Sequence, residues 1–309
     1  MRKLSKVQDG GKSNTGRIAI DDNNVISEIS HCKNGKLLFN CSLMPVLKVQ
    51  HLAAARDFIK TKHCNSGCKG VVLIQRILGQ VRRAIQDYEM IDSGDRIAIG
   101  VSGGKDSMTL LATMKQLQRF YPKRFELEAI SLTMGIGNAD FTPVAEFCRR
   151  IGVNYTIEET QIGKIIFEIR QEKNPCSMCA NLRRGALHNV AKKLGCNKVA
   201  LGHHMDDAIE TLLLSTFFEG NLHTFSPVTY LDRKDLHLIR PLIYTEEKQI
   251  KALAKSGQFP IVKSPCHVDG KTKRQYVKDL IFELQKENKD IKSNLFGAIK
   301  RAEIDGWHE

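Results

Sequence analysis

The chain has 309 residues, 42% of them hydrophobic and 26% charged, with 47 Lys and Arg against 34 Asp and Glu for a formal charge of +13. This is ordinary globular usage with enough length for a sizeable core, which excludes wholesale disorder, and apolar runs such as Ala208 to Phe218 are far short of a bilayer span. The basic excess is spread along the chain rather than gathered in a tail. It favours a polyanionic partner held by phosphate neutralisation, with a merely basic surface as the plainer alternative.

Residues 1–70 form an N-terminal extension, polar at first, with Cys32, Cys41, Cys64 and Cys68 among short apolar runs. Met1-Arg2-Lys3-Leu4-Ser5-Lys6 is basic, but no apolar core of signal-peptide length follows it, so the expected location is cytoplasmic, with no membrane contact. Nine cysteines, an odd number without a secretory signal, read as thiols, metal ligands or catalytic groups rather than a disulfide framework. The irregular spacing of the four in the extension leaves a small zinc module and plain thiols as alternatives.

Residues 71–95 read as a helical lead-in, because Val72, Ile74, Ile77, Leu78, Val81, Ala84 and Ile85 recur at helical spacing with Arg76, Arg82 and Arg83 off that face. From 96 to 270 strand-like and helix-like pieces alternate. Strands are expected at Arg96–Val101, Leu127–Leu132, Asn154–Ile157 and Lys198–Leu201, and an extended piece at Leu238–Ile243. Helices are expected at Ser107–Phe120, Val144–Ile151, Ile162–Arg170, Cys179–Leu194 and Glu246–Lys255. Residues 271–309 read as a C-terminal helical segment, with a helix at Gln275–Lys286. This alternation predicts an α/β fold, a doubly wound parallel sheet whose ligands collect at the carboxyl ends of its strands, near Ser102 and Gly202.

Three groups of residues carry chemistry. In the first, a strand runs into Ser102-Gly103-Gly104-Lys105-Asp106-Ser107 and on into a helix. Glycines let the backbone approach a phosphate, the helix start favours its charge, Lys105 neutralises it, and Asp106 suits a Mg²⁺ ion on pyrophosphate oxygens. The second group, Gly202-His203-His204-Met205-Asp206-Asp207, repeats the design. One of Asp206 and Asp207 is accounted for as a helix cap; two after Gly-His-His suggest a Mg²⁺ ligand or base, with His203 on the nucleotide. Thr211 to Phe218 reads as core. In the third group Cys176-Ser177-Met178-Cys179 precedes a helix carrying Arg183 and Arg184, and Cys266 follows far downstream. The pair alone fits a redox dithiol, half a zinc site or chance. Arg183 falls four residues after Cys179, hence on the same helix face.

With these groups in view the chain resembles the tRNA 2-thiocytidine synthetase family, a branch of the tRNA thiolation enzymes within the PP-loop, or N-type ATP pyrophosphatase, superfamily. The resemblance runs from about Leu73 to Lys286 and rests on Ser102 to Ser107, Cys176 to Gly185, Gly202 to Thr211, Phe218-Glu219-Gly220 and Ile239-Arg240-Pro241-Leu242. It implies an adenine nucleotide alpha hydrolase-like fold that binds ATP and Mg²⁺ and cleaves ATP between the α and β phosphates. It also implies a 4Fe-4S cluster on Cys176, Cys179 and Cys266, leaving one iron open to sulfide. The implied reaction adenylates the C2 carbonyl oxygen of a pyrimidine in tRNA, cytidine above all, and replaces it by sulfur. Implied partners are tRNA and a sulfur donor such as a cysteine desulfurase or free sulfide, with a homodimer allowed. Asp269 stands where the family often has a second cysteine, which leaves the nucleoside more open than the chemistry. An amide-forming ligase of the same fold, or a thiolation enzyme acting on another nucleoside or a small molecule, is the rival reading.

Overall fold

The computed structural model describes residues 15–16, 29–32, 36–38, 66–137, 139–169, 175–262 and 273–308. The chain divides into two compact units, Met1–Val72 and Leu73–Glu309. In the first, β1 (Thr15–Gly16), β2 (Ile29–Cys32) and β3 (Lys36–Leu38) form a three-stranded antiparallel sheet in that order. Cys32 closes β2 and Cys68 lies in the first turn of the next helix, while Cys41 and Cys64 lie outside the described residues.

α1 (Ser66–Asp87) leads into the second unit. Most of its expected face is buried: Ile77, Leu78, Val81, Ala84 and Ile85 are at most 3% exposed and Ile74 is partly buried, whereas Arg76, Arg82 and Arg83 face solvent. Val72, expected on the same face, is 44% exposed because it lies before the helix reaches the sheet's core. After it come β4 (Asp95–Gly100), α2 (Lys105–Leu117), β5 (Phe125–Leu132), α3 (Thr142–Ile151) and β6 (Asn154–Glu158). α4 (Pro175–Lys193), β7 (Lys198–Ala200), α5 (Met205–Glu219), β8 (Val228–Leu231) and β9 (Leu236–Ile239) follow. α6 (Glu247–Ser256), α7 (Lys273–Glu287) and α8 (Ile291–Arg301) complete the unit.

The sheet has six strands in the order β6-β5-β4-β7-β9-β8. β6, β5, β4, β7 and β9 are parallel neighbours. β8 departs from the expected all-parallel sheet: it pairs antiparallel with β9 as an edge hairpin. Another departure lies at Ile162–Arg170, where one α turn, Ile162–Lys164, passes into a π-helix at Ile165–Ile169 and Arg170 lies outside the described residues. The central strands are buried on both faces, as a parallel sheet requires. Ile97 and Ile99 join a large core with α1, α2 and α5, while Ala98 joins a smaller one with Leu187, Val190 and Ala191 of α4. Among the described residues no helix is long and apolar enough to cross a membrane.

The C-terminal helices belong to the larger core through Val277, Ile281, Ile299 and Trp307. Trp307 is 1% exposed, donates its indole N–H to the Phe225 carbonyl at 2.8 Å and meets Phe296 edge-on at 5.3 Å. Trp307→Ala is expected to cost about 3–5 kcal/mol, the usual loss for emptying a packed aromatic site. Urea unfolding measures it, and a loss below about 1 kcal/mol would show that the segment does not hold this core together.

Candidate active site

β4 leads toward β5 on one side of the sheet and β7 lies on the other, so the strand order reverses between β4 and β7. Ligand crevices form at such a switch point, outside the carboxyl ends of the strands. Both strands end there in a loop and a helix start.

The loop after β4 is wound tightly enough to need its glycines. Gly103 has φ +78°, and a Cβ on it would lie 2.7 Å from Cβ of Val262, whose N–H donates to the Gly103 carbonyl at 3.0 Å. A Cβ on Gly202 would lie 3.1 to 3.3 Å from the Asp106 and Ser107 backbone, so the chain leaving β7 presses on the first loop. Ser102 and Ser107 bring their hydroxyls within 3.2 Å, and Ser107 donates to the Gly104 carbonyl at 3.0 Å. Gly104 is the N-cap of α2 and offers no side chain, which leaves the first-turn N–H groups uncapped and turned to the crevice.

His204 joins the two loops. It is 2% exposed and caps α5: its Nδ1 accepts from the Asp207 N–H at 3.4 Å, and the His204 N–H donates to Asp207 Oδ2 at 3.0 Å. An accepting Nδ1 places the proton of a neutral ring on Nε2. That atom stands 3.6 Å from Asp106 Oδ1 and 3.5 Å from Asp207 Oδ2. Asp106 Oδ1 is buried and has no hydrogen-bond partner among the described residues, whereas its Oδ2 accepts from Lys105 at 3.0 Å. Asp206 differs from its neighbour. It is 3% exposed, with Oδ2 accepting from the Glu247 N–H at 2.7 Å and Oδ1 from Lys292 at 2.6 Å. Burial alone would raise its pKa, but the Lys292 ammonium and the Glu247 N–H hold it below the usual range. Asp206 thus ties α6 and α8 to the start of α5.

Lys105 sits 3.0 Å from Asp106 and 3.1 Å from Glu247. Burial works against its charge, yet these carboxylates raise its pKa overall. Glu247, raised by burial but pulled down more by Lys251, Lys105 and Lys278, falls to about 2. Alternating charges continue from Lys278 to Glu210 at 3.5 Å and from Glu210 to Arg274 at 2.9 Å, and Arg274 reaches Asp207 at 3.6 Å. Sequence reasoning passed over His204, Glu247 and Arg274. His204 was legible from its place before Asp206 and Asp207; nothing local signals the other two.

His203 stacks on Phe225 at 4.9 Å, and on the other contact of that ring the Arg240 guanidinium lies 5.1 Å from the centroid. Arg240 is 7% exposed, donates to the Ser226 carbonyl and to Thr229 Oγ1, and keeps a buried Nε without a partner among the described residues. Among the described residues no carboxylate pairs with it. Burial and then Arg184 lower its pKa to about 10, so it remains a cation at neutral pH. Burial, then Arg240, pushes the His203 imidazole down to about 4. An unfolded imidazole titrates near 6.5, so the stability that neutral His203 contributes is full above about pH 6.5 and is lost as pH falls toward 4. His203→Gln should flatten the decline of Tm across that window in calorimetry. An unchanged slope would contradict the assignment.

Cys176 and Cys179 lie at the start of α4, as its second and fifth residues. A crossover helix between parallel strands begins at the carboxyl edge of the sheet, so this end of α4 falls on the same side as Ser102 and Gly202. Arg183 and Arg184 follow on α4, both exposed, and Arg184 folds back on Asn181 at 2.6 Å. Cys266 lies outside the described residues; Val262, four residues before it, is the residue packed on Gly103.

Comparison with known proteins gives a consistent picture. A family model described as a PP-loop domain matches residues 74–284. The tRNA-cytidine(32) 2-sulfurtransferase of Geobacter sulfurreducens is 42% identical over 228 residues, covering 73% of this chain and 89% of that protein. The protein of the same name from Geotalea daltonii is 43% identical over 230 residues, covering 74% and 91%. Among solved structures, the U34-tRNA thiolase NcsA from Methanococcus maripaludis, determined with its 4Fe-4S cluster, superposes with a TM-score of 0.61 over 75% of this chain and 79% of that one. At 24% identity that likeness concerns the fold.

Proposed function

The chain belongs to the tRNA-cytidine(32) 2-sulfurtransferase branch of the PP-loop family, and from that premise we propose that it is an ATP-dependent enzyme replacing the C2 oxygen of a tRNA cytidine by sulfur. The observation that carries the proposal is the contact between two strand-loop-helix units at one edge of the sheet, where Gly202 presses on the Asp106 and Ser107 backbone; by the crossover rule the cysteine-bearing start of α4 falls on the same side.

The residues fit the groups this chemistry uses. Gly104 leaves the first-turn N–H groups of α2 without a side-chain cap for pyrophosphate to use, Ser102 and Ser107 offer hydroxyl donors, and Lys105 offers an ammonium. Asp106, whose buried Oδ1 has no hydrogen-bond partner among the described residues, and Asp207 would hold Mg²⁺, a hard cation that takes carboxylate oxygens. Cys176, Cys179 and Cys266 are a soft thiolate set suited to a 4Fe-4S cluster, with Arg183 supplying a cation on the same helix. When bound, that cluster supplies a docking point for the incoming sulfur.

In the proposed reaction the cytidine C2 oxygen attacks the α-phosphorus of ATP and pyrophosphate leaves. Hydrosulfide then forms a bond to C2, its proton is lost to water, and the C2–O bond breaks with the oxygen departing in AMP. Lys105 and the first-turn N–H groups of α2 take the charge of the leaving pyrophosphate. Asp207 acts beside Asp106, while Asp206 holds the helix start in place. Arg240 and neutral His203 both pack on Phe225, and Arg240, a cation that no carboxylate among the described residues pairs with, would serve the α-phosphate. The sulfur comes from a cysteine desulfurase or free sulfide in the cytoplasm. The proposal is tested by the nucleotide products: tRNA-dependent turnover should release AMP and pyrophosphate in equal amounts, and release of ADP and phosphate would overturn it.

A further inference from the structure

The α5 segment from Thr211 to Phe218 reads as core in the sequence, yet its far end is exposed. Phe217 is 51% and Phe218 42% exposed, and Tyr276 of α7 is 59% exposed. Phe218 and Tyr276 nevertheless form a defined pair, with centroids 6.3 Å apart and planes at 71°. The Lys273 ammonium lies 4.6 Å from the Phe218 centroid. Aromatic faces left open to water and interleaved with cations have the chemistry of a surface for unpaired nucleobases, which stack on such rings whatever their identity. The formal charge of +13 suits the same partner.

The position of the pair strengthens the reading. Asp207, Thr211, Leu214 and Phe218 recur at spacings of four, three and four, one face of α5. Arg274, two residues before Tyr276, reaches Glu210 at 2.9 Å, Thr211 at 3.3 Å and Asp207 at 3.6 Å along that face. Eleven residues of helix place Phe218 about 16 Å from the Asp207 end. That is within the reach of a few nucleotides of unpaired strand. The C2 oxygen of cytidine lies on its pairing edge, so a cytidine that reacts there must be unpaired and turned out, which uncovers the faces of its neighbours.

We propose that Phe218, Tyr276 and Lys273 form a stacking platform for unpaired bases flanking the target cytidine. This rests on the tRNA sulfurtransferase reading. The test is binding of an RNA stem-loop with an unpaired cytidine, followed by fluorescence anisotropy over a salt series, for the full chain and for Phe218→Ala, Tyr276→Ala, both together, Phe218→Trp and Lys273→Met. Each alanine should weaken binding roughly 5- to 100-fold and leave the log-log salt slope unchanged, because stacking releases no counterions. Phe218→Trp should bind like wild type, Lys273→Met should lower the slope, and a fully paired RNA of equal length should be indifferent to either alanine. Unchanged Tm and ATP binding show that the variants fold. Undiminished stem-loop binding by the double variant overturns the inference, as does equal loss on paired RNA. So does a concentration-dependent wild-type dimer that the double variant abolishes without changing RNA affinity. If the wild type binds no RNA at all, the sulfurtransferase reading falls, and this inference with it.

Discussion

Asp106→Asn should slow tRNA-dependent release of AMP and pyrophosphate by about 10²- to 10³-fold, the scale on which one preorganised electrostatic group acts in a water-poor site. The substitution keeps the size of the side chain. The Lys105 contact to Glu247 at 3.1 Å does not involve it, and α2 has no side-chain cap to lose, so the fold should stand. What disappears is the negative charge: the Lys105 ion pair at 3.0 Å weakens to a hydrogen bond, and the buried oxygen 3.6 Å from His204 Nε2, which has no hydrogen-bond partner among the described residues, is no longer anionic. A carboxylate in that position suits a metal ion better than a structural hydrogen bond. The loss should therefore appear in the Mg²⁺-dependent part of ATP affinity and in turnover, with Tm within about 2 °C of wild type. Wild-type turnover, or a collapse in Tm, would assign Asp106 to structure instead.

Cys176→Ala and Cys179→Ala should each abolish thiolation while ATP binding persists. Protein purified without oxygen should be brown with about four irons per chain, and each variant should lose both colour and iron. The controls are built into the fold. Cys148 and Cys196 are 0% and 2% exposed, and burial pushes both thiols up to about 11, which makes them poor thiolates. Cys148→Ala and Cys196→Ala should keep the iron. The same outcome is expected of Cys266→Ala as of the α4 pair. A colourless anaerobic preparation with one zinc per chain, still active in thiolation, would contradict the cluster.

Both strand-loop-helix units were legible because each concentrates local signals: a short apolar strand, glycines where backbones touch, then polar residues at a helix start. The face of α1 was legible for a similar reason, since helical periodicity survives in any context. β8 went unread although Val228-Thr229-Tyr230-Leu231 before Asp232 and Asp235 has the composition of an edge hairpin; its residues are only partly buried, and their alternation is weak. α8 lacks a long apolar stripe, with Ile299 its one fully buried residue, and Trp307 finds its place only through Phe296, Tyr88 and Phe225. Phe217 and Phe218 read as core because apolar composition says nothing about which end of a helix runs past the sheet. The site divides in the same way. Ser102 to Ser107 and Gly202 to Asp207 were readable as runs, whereas Glu247 and Arg274 arrive from segments with no motif of their own. Their roles exist only as distances to Lys105, Glu210 and Asp207. The division of labour between Asp206 and Asp207 likewise depends on Lys292, 85 positions farther along the chain than Asp207.

Mass spectrometry of the nucleosides in tRNA after incubation with anaerobically purified protein, ATP, Mg²⁺ and sulfide tests the central claim most directly. The account predicts 2-thiocytidine formed one for one with AMP, and none when ATP is omitted or Cys179 is replaced by Ala. Sulfur appearing in a different nucleoside, or AMP accumulating in step with tRNA that gains nitrogen rather than sulfur, would contradict it.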